Sequence, residues 1–529
     1  MKKIKRAAAI LLASVMLLSA LSGCGEEEKT GFSLRIAAQE RPDTLDPAMA
    51  DSDTEKTVVV HLFENLMKLT ESGVVCAQAK SYECTDNLDG TETYTFQLRT
   101  DSKWSDGRTV TAQDFVYAWQ RLVDPNTASP NASLLDMVSG YEAAAAGDVE
   151  SLQVWAEDDA TLVVVLNCHC PYFLSSICTA AATMPVRADV VDLPHWSMDR
   201  NALLTNGAYR VATWGRDNLL LEETEDYYDT KRILATQLEF RFGLTEEDAM
   251  TQYENGELDI VLAAQKTEQS QISYQPAVKV LLLNQMSPLL RKEELCQAMN
   301  LCLDRNTLVQ ELGERYLAAD GLVPYGTRST QEGDFRDLGG AAVDNDPEDY
   351  EANCAAAQEK LASIGYSGTP IGTVTMLYEA GPGQQQVVQM LQNTWQDQLH
   401  LQVEAKCVTA EGMQEALSSG EFTVALTSIT SDRNDAVGYL DRFGSGHSEN
   451  YGMYYSNAYD MLMRAAAASQ SAEARDAYLA DAERLLLESG SVIPLYNTFH
   501  YWLVRENLTG AFDNGQDAHY FAYVREVQS

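Results

Sequence analysis

Histidine is scarce in this chain: seven residues in 529, none paired with another at metal-ligand spacing. The sequence contains no G-x-S-x-G, no H-E-x-x-H, no P-loop and no Gly-rich dinucleotide fingerprint. Those absences remove the nucleophile-elbow hydrolases, the zincins, the P-loop nucleotide hydrolases and the dinucleotide-dependent enzymes. Basic residues are also few, 38 Lys and Arg against 78 Asp and Glu, for a formal charge of −40. Such a surface repels nucleic acid and anionic lipid head groups. So many acids let two carboxylates meet by chance, so glycosidase-like pairing carries no weight here. The expectation is no enzyme and no cofactor. Beyond the N-terminal segment no apolar run is long enough to span a bilayer.

The composition itself is that of a globular protein, 45% hydrophobic and 22% charged, and the length calls for two or three domains. The N-terminus reads as a targeting segment. Lys2, Lys3, Lys5 and Arg6 form a basic region, Ala7–Leu18 an apolar stretch too short to span comfortably, and Leu21-Ser22-Gly23-Cys24 a lipobox. Cleavage before Cys24 would leave that cysteine for lipidation and residues 24–30 as a solvated tether. Loss of residues 1–23 removes four basic residues and no acidic one, moving the formal charge from −40 to −44. Membrane attachment must then come from acyl chains, not from charge.

Nine cysteines follow Cys24, an odd number that leaves at least one thiol unpaired in an exported chain. Cys168-His169-Cys170 has the look of a metal motif. On a strand, however, the two cysteines share a face and the histidine points away. Buried or disulfide-forming cysteine is the expectation, and metal is not.

The chain is organised around Lys103–Ser133. Tyr94–Arg99 alternates aromatic and polar residues, as a half-buried strand does. Ser105-Asp106-Gly107 supplies a turn. Thr111 and Asp114 stand three apart as a capping box, followed by Phe115, Ala118, Trp119 and Leu122 on one helical face. Asp124-Pro125 stops that helix, and Ser129-Pro130 is expected to start the next. The string WSDG…VTAQDFVYAWQRLVDP, continued by NTASPNAS, resembles the signature of the solute-binding proteins of peptide ABC importers, the oligopeptide- and dipeptide-binding family. Thr44–Pro47, Cys170–Phe173, Asn206–Arg210, Met250–Ile260 and Leu303-Asp304-Arg305 resemble further elements of that family. Glu223-Thr224-Glu225-Asp226 departs from it.

The resemblance implies an α/β fold: a two-lobed periplasmic-binding-protein-like clamp with an extra inserted α+β domain, its lobes joined by two hinge crossings. The first domain would comprise 31–63, 186–277 and 499–529, the inserted domain 64–185, and the second lobe 278–498. Alternating strands and helices after residue 278 agree with an α/β lobe built on a mixed sheet.

The resemblance also implies a binding site. Asp432, in the segment Asp432-Arg433-Asn434-Asp435…Tyr439-Leu440, takes the place of the aspartate that pairs with a peptide's ammonium. Asn434 lies in the same segment. Asn131 stands where relatives carry an aromatic, and Asn284 at the start of the second lobe where they carry asparagine. Asp51 and Asp53 lie in the first segment and add negative potential. The basic groups that receive a peptide carboxylate would fall near Leu417, Leu426 and Gln384, and the tryptophan before the aspartate appears as Ile429. The expected protein is a monomeric, lipid-anchored extracytoplasmic binder that captures oligopeptides and delivers them to an ABC permease, without nucleic acid or metal as partner. Another solute on the same fold (nickel chelate, haem, a sugar, a signalling peptide) and a surface receptor without transport stand as alternatives.

Overall fold

The computed structural model describes residues 31–527, apart from 72, 332, 367, 369, 516 and 517. Cys24 and the targeting segment lie outside the described residues.

An eleven-stranded sheet runs through the molecule. Its spine is a pair of antiparallel strands, Gln271–Leu283 and Val492–Val504, each of 13 residues. On one side of the spine lie Ile260–Ala264, Phe32–Ala37, Ala235–Arg241, Asn218–Glu223 and Tyr209–Trp214, in that order. On the other lie Val424–Thr430, Gly372–Glu379 and Leu401–Val408. Phe32–Ala37 is parallel to both its neighbours, and so is Gly372–Glu379, as expected where helices carry the chain back between strands. The expected hinge crossings therefore fall inside two long strands and not in loops. The register of the spine slips between Tyr274 and Val278, so that Gln275-Pro276-Ala277 bulges out. Pro276 has no N–H to give to a ladder, which is why it sits in the interruption.

A separate four-stranded antiparallel sheet, Ala79–Asp86, Glu92–Leu98, Thr161–Leu166 and Val154–Asp158, packs under helix Ala112–Val123. The helix begins with the expected capping box: Asp114 Oδ2 accepts from the Thr111 amide at 2.8 Å, and also from Trp104 Nε1 at 3.1 Å. Phe115, Ala118, Trp119 and Leu122 are all buried. Asp46 of the Leu-Asp-Pro turn accepts Arg121 Nη1 at 2.9 Å, which ties the first segment to this helix. Gly207 packs so tightly on the preceding helix end that a Cβ would lie 2.7 Å from the Leu62 carbonyl.

Two local expectations are corrected. The helix expected at Ser129-Pro130 is only a 3-10 turn over Ala132–Leu135, because Ala128 takes a left-handed φ of 51° and turns the chain first. Cys168-His169-Cys170 lies beyond the strand, which ends at Leu166, so strand alternation does not govern it. His169 Nδ1 faces Glu92 Oε1 at 2.5 Å. Among the described residues the nine cysteines are unpaired.

The C-terminal turns return to the first helix, Asp53–Leu62. The His519 amide donates to Thr57 Oγ1 at 3.1 Å and the Phe521 amide to His61 Nε2 at 2.9 Å. Nearby, Lys68 is buried among Glu64 and the hydroxyls of Tyr227, Tyr228 and Tyr523.

Candidate functional site

The groove lies where the bulge of the spine meets the loop after strand Val424–Thr430. About 1500 Å³ of open space is walled by Asp51, Asn131, Ser133, Gln275–Ala277, Thr430–Arg433 and Arg442. A smaller recess of about 510 Å³ continues inward past Asn131, Pro276 and Asn434 to Asn514 and Ala518.

The loop Ser431–Asp435 is built to hold one shape. Ser431 Oγ accepts from the Arg433 amide at 3.1 Å and donates to the Arg433 carbonyl at 2.9 Å. Gly438 closes over that hydroxyl, and a Cβ there would lie 2.0 Å from it. Asp435 takes Arg475 in a bidentate pair, Nη1 to Oδ2 at 2.9 Å and Nη2 to Oδ1 at 2.8 Å, with both side chains about 5% exposed or less.

From this rigid loop the side chains of Asp432 and Arg433, and the backbone N–H of Asn434, reach to the inserted segment. Asp432, exposed, accepts Ser133 Oγ on Oδ2 at 2.8 Å, and its Oδ1 has no protein partner among the described residues. Arg433, buried, pairs with Asp136 and donates to the Ser133 carbonyl at 3.3 Å. Burial opposes its charge, but Tyr172, Asp136, Asp441 and Asp432 outweigh burial and raise it well above its ordinary value. Asn434 accepts the Arg328 amide on Oδ1 at 2.7 Å, and its own amide donates to Ser176 Oγ at 3.0 Å. Asp441 behind them is raised by burial, with Arg433 and Arg442 pulling the other way.

The opposite wall is fixed by Glu55, whose carboxylate accepts four backbone amides: Asp43 and Thr44 on Oε1, Asp51 and Ser52 on Oε2. Asn131 Nδ2 donates to the Ala50 carbonyl at 3.0 Å and steadies the same turn. Asp53, on the first turn of helix Asp53–Leu62, faces a neighbouring recess with His500 and is raised by burial against the pull of Lys56.

Four of the five expected ligand residues, Asp51, Asn131, Asp432 and Asn434, therefore share one groove with its recess. Asn284 does not. Its amide clamps the Gly420 and Phe422 carbonyls at 3.0 and 2.9 Å and holds a turn. Leu417, Leu426 and Ile429 are core residues, and Gln384 donates to Tyr496 Oη at 3.1 Å. The basic side chains of the groove are instead Lys56, Arg433, Arg442 and His447. Sequence reasoning missed them, although Arg433 sits beside Asp432. Arg442 is aimed by its bonds from Nη2 to the Thr430 and Gly438 carbonyls at 2.9 and 3.0 Å. Among the described residues no cluster of three or more His, Cys, Asp or Glu is arranged for a metal ion.

A groove between two halves of one continuous sheet, floored by a bulge and a pre-shaped loop, defines a two-lobed solute-binding clamp. Solved structures share it: the unliganded open form of MppA, a periplasmic murein tripeptide binding protein, matches with a TM-score of 0.78 and 26% identity over 95% of this chain and 98% of that one. Among sequences, the probable deoxycholate-binding periplasmic protein YgiS of Escherichia coli is 28% identical over 86% of each chain. The periplasmic oligopeptide-binding protein OppA of Escherichia coli is 27% identical over 92% of this chain and 90% of its own length. The chain belongs to the bacterial extracellular solute-binding proteins, family 5 Middle, whose model matches residues 47–451. These are binding proteins, not enzymes.

Proposed function

We propose that this protein is a lipid-anchored, monomeric binder that captures oligopeptides in the groove and delivers them to an ABC importer permease. The observation that carries the reading is Asp432: an exposed carboxylate with a free Oδ1, set by a rigid loop at the wall of a space of about 1500 Å³. A peptide ammonium on Asp432 would gain a charge-assisted bond, while Arg442 and Lys56 supply positive charge for carboxylates. Likeness to an open, unliganded relative supports a clamp that closes on its ligand by hinge motion. The anchor is Cys24, and the domain division is 31–63 with 186–277 and 499–529, 64–185, and 278–498.

Native mass spectrometry of protein purified without denaturation tests the reading. Co-purified masses spaced as mixed peptides support it. A single non-peptide mass keeps the clamp and overturns the ligand. The second reading, an amphipathic non-peptide solute, is favoured by the mixed lining of the inner recess, where Ala50, Val60, Leu134 and Ala180–Ala182 stand among polar side chains, and by the name of the YgiS relative. Deoxycholate displacing bound peptide would identify it.

A further inference from the structure

A second cavity of about 900 Å³ shares no lining residue with the groove. It opens between helices Glu293–Leu301, Tyr350–Ser363 and Ala472–Glu488, beside the loop at 342–344. Arg305 stands in its wall and is only 2% exposed. Its Nε donates to the Pro494 carbonyl at 2.6 Å and its Nη2 to Asn300 Oδ1, so neither acceptor is charged. Among the described residues no carboxylate oxygen lies within 4.0 Å of the guanidinium, and Nη1 has no acceptor. Burial lowers the group to about 10, with Cys302 and Asp320 acting the other way, so it stays cationic at neutral pH.

Lys360 lines the same cavity. Its Nζ donates to Gln297 Oε1 at 2.8 Å and likewise has no carboxylate within 4.0 Å among the described residues. Gln297 is turned that way because its Nε2 is held by Glu293 Oε1 and the Glu488 carbonyl at 2.7 and 2.9 Å. Asn300 spends Oδ1 on Arg305 and keeps Nδ2 as a donor. Two acids line the cavity: Asp344, engaged by Asn353 Nδ2 and the Asp346 amide at 2.9 and 3.0 Å, and Glu488, exposed at its helix end. Leaving a buried cation without a counter-charge is expensive. A chain with 78 acidic residues had no shortage of them to supply one.

We infer that this cavity is an anion site, in which a small oxyanion of the phosphate class bridges Arg305 Nη1, Lys360 Nζ and Asn300 Nδ2. The anion completes the donor set that the protein leaves open, and it stabilises the packing of the three helices. The same chemistry comes from free phosphate or from a phosphomonoester head group.

Calorimetric titration of the purified protein with inorganic phosphate and, separately, with glycerol 3-phosphate, at constant ionic strength in chloride, tests the inference. One saturable site is expected, with a rise in melting temperature on binding. Tighter binding of glycerol 3-phosphate identifies the head group, and equal or weaker binding identifies free phosphate. Lys360→Met is expected to weaken binding about tenfold or more, and Arg305→Gln to abolish it, with ligand affinity in the groove unchanged. If Arg305→Gln does not fold, Lys360→Met alone decides. No saturable binding up to about 20 mM, or binding untouched by Lys360→Met, overturns the site.

Discussion

Arg475 and Arg305 are buried to nearly the same depth, at 3% and 2% exposure, and they are answered in opposite ways. Arg475 meets a bidentate carboxylate from Asp435, and the pair fixes the loop that carries Asp432. Arg305 meets a carbonyl and an amide oxygen and keeps Nη1 open to a cavity. A third buried basic group takes another route: His61 is 1% exposed and held neutral, its Nδ1–H donating to the Thr57 carbonyl at 2.6 Å while Nε2 accepts the Phe521 amide. A guanidinium has no neutral option near pH 7. The contrast teaches that this fold completes a buried cation internally where a loop must be rigid, and leaves one incomplete where an exchangeable anion can act.

The largest way to break the contrast is Asp435→Asn. It strands Arg475 in the interior and is expected to cost about 3–5 kcal/mol in the denaturant midpoint of the purified protein. Arg305→Gln removes a charge that has no partner and is expected to cost far less. Equal losses would erase the distinction.

The neutral route gives the next effect. Burial pushes His61 down to about 4, with His519 adding to it and the bond to Thr57 opposing. Between pH 6.5 and 4 the unfolded chain binds a proton that the folded one refuses. The contribution of His61 is therefore fully present above pH 6.5 and is lost as pH falls, by about 3 kcal/mol at pH 4. Subtracting the stability–pH profile of His61→Gln from that of the wild type isolates it; a flat difference would show that His61 titrates alike in the folded and unfolded chain.

Asp432→Ala should weaken free-amine peptides by about 1.5–3 kcal/mol and N-acetylated ones much less, read by calorimetry. Equal losses would take Asp432 out of ammonium recognition. Ser133→Ala, which removes one exposed partner of Asp432, should change the same affinity by about 1 kcal/mol or less. A loss as large as that of Asp432→Ala would mean that the hydroxyl, not the carboxylate, contacts the ligand.

Helix Ala112–Val123 was legible because its cap and apolar face are written within a dozen neighbouring positions, and local hydrogen bonds enforce both. The place of Asp432 and Asn131 beside the groove was legible through the resemblance, which keeps residues in order along the chain. Asn284 misled because a buried asparagine that clamps a turn carries the same letter as one that meets a ligand. Arg442, Lys56 and His447 were out of reach: two distant segments bring them together, and no spacing in the sequence encodes that meeting. Arg305 fits a family motif as a mere position, and its lack of a counter-charge exists only in three dimensions.

The bulge at Gln275–Ala277 lies in one of two strands that both continue from one half of the sheet into the other. Opening and closing such a clamp is a torsion of a paired ribbon, not the swing of a loose tether. Ladder bonds between the two long strands on either side of the bulge act as a restoring spring, and the three residues where that pairing is interrupted are its compliant part, held on their other edge with Ala277 opposite Thr430. The resting angle between the jaws is thus a property of strand register, so inserting or deleting one residue near Pro276 would retune the mouth of the groove together with the stretch of its wall at Gln275–Ala277.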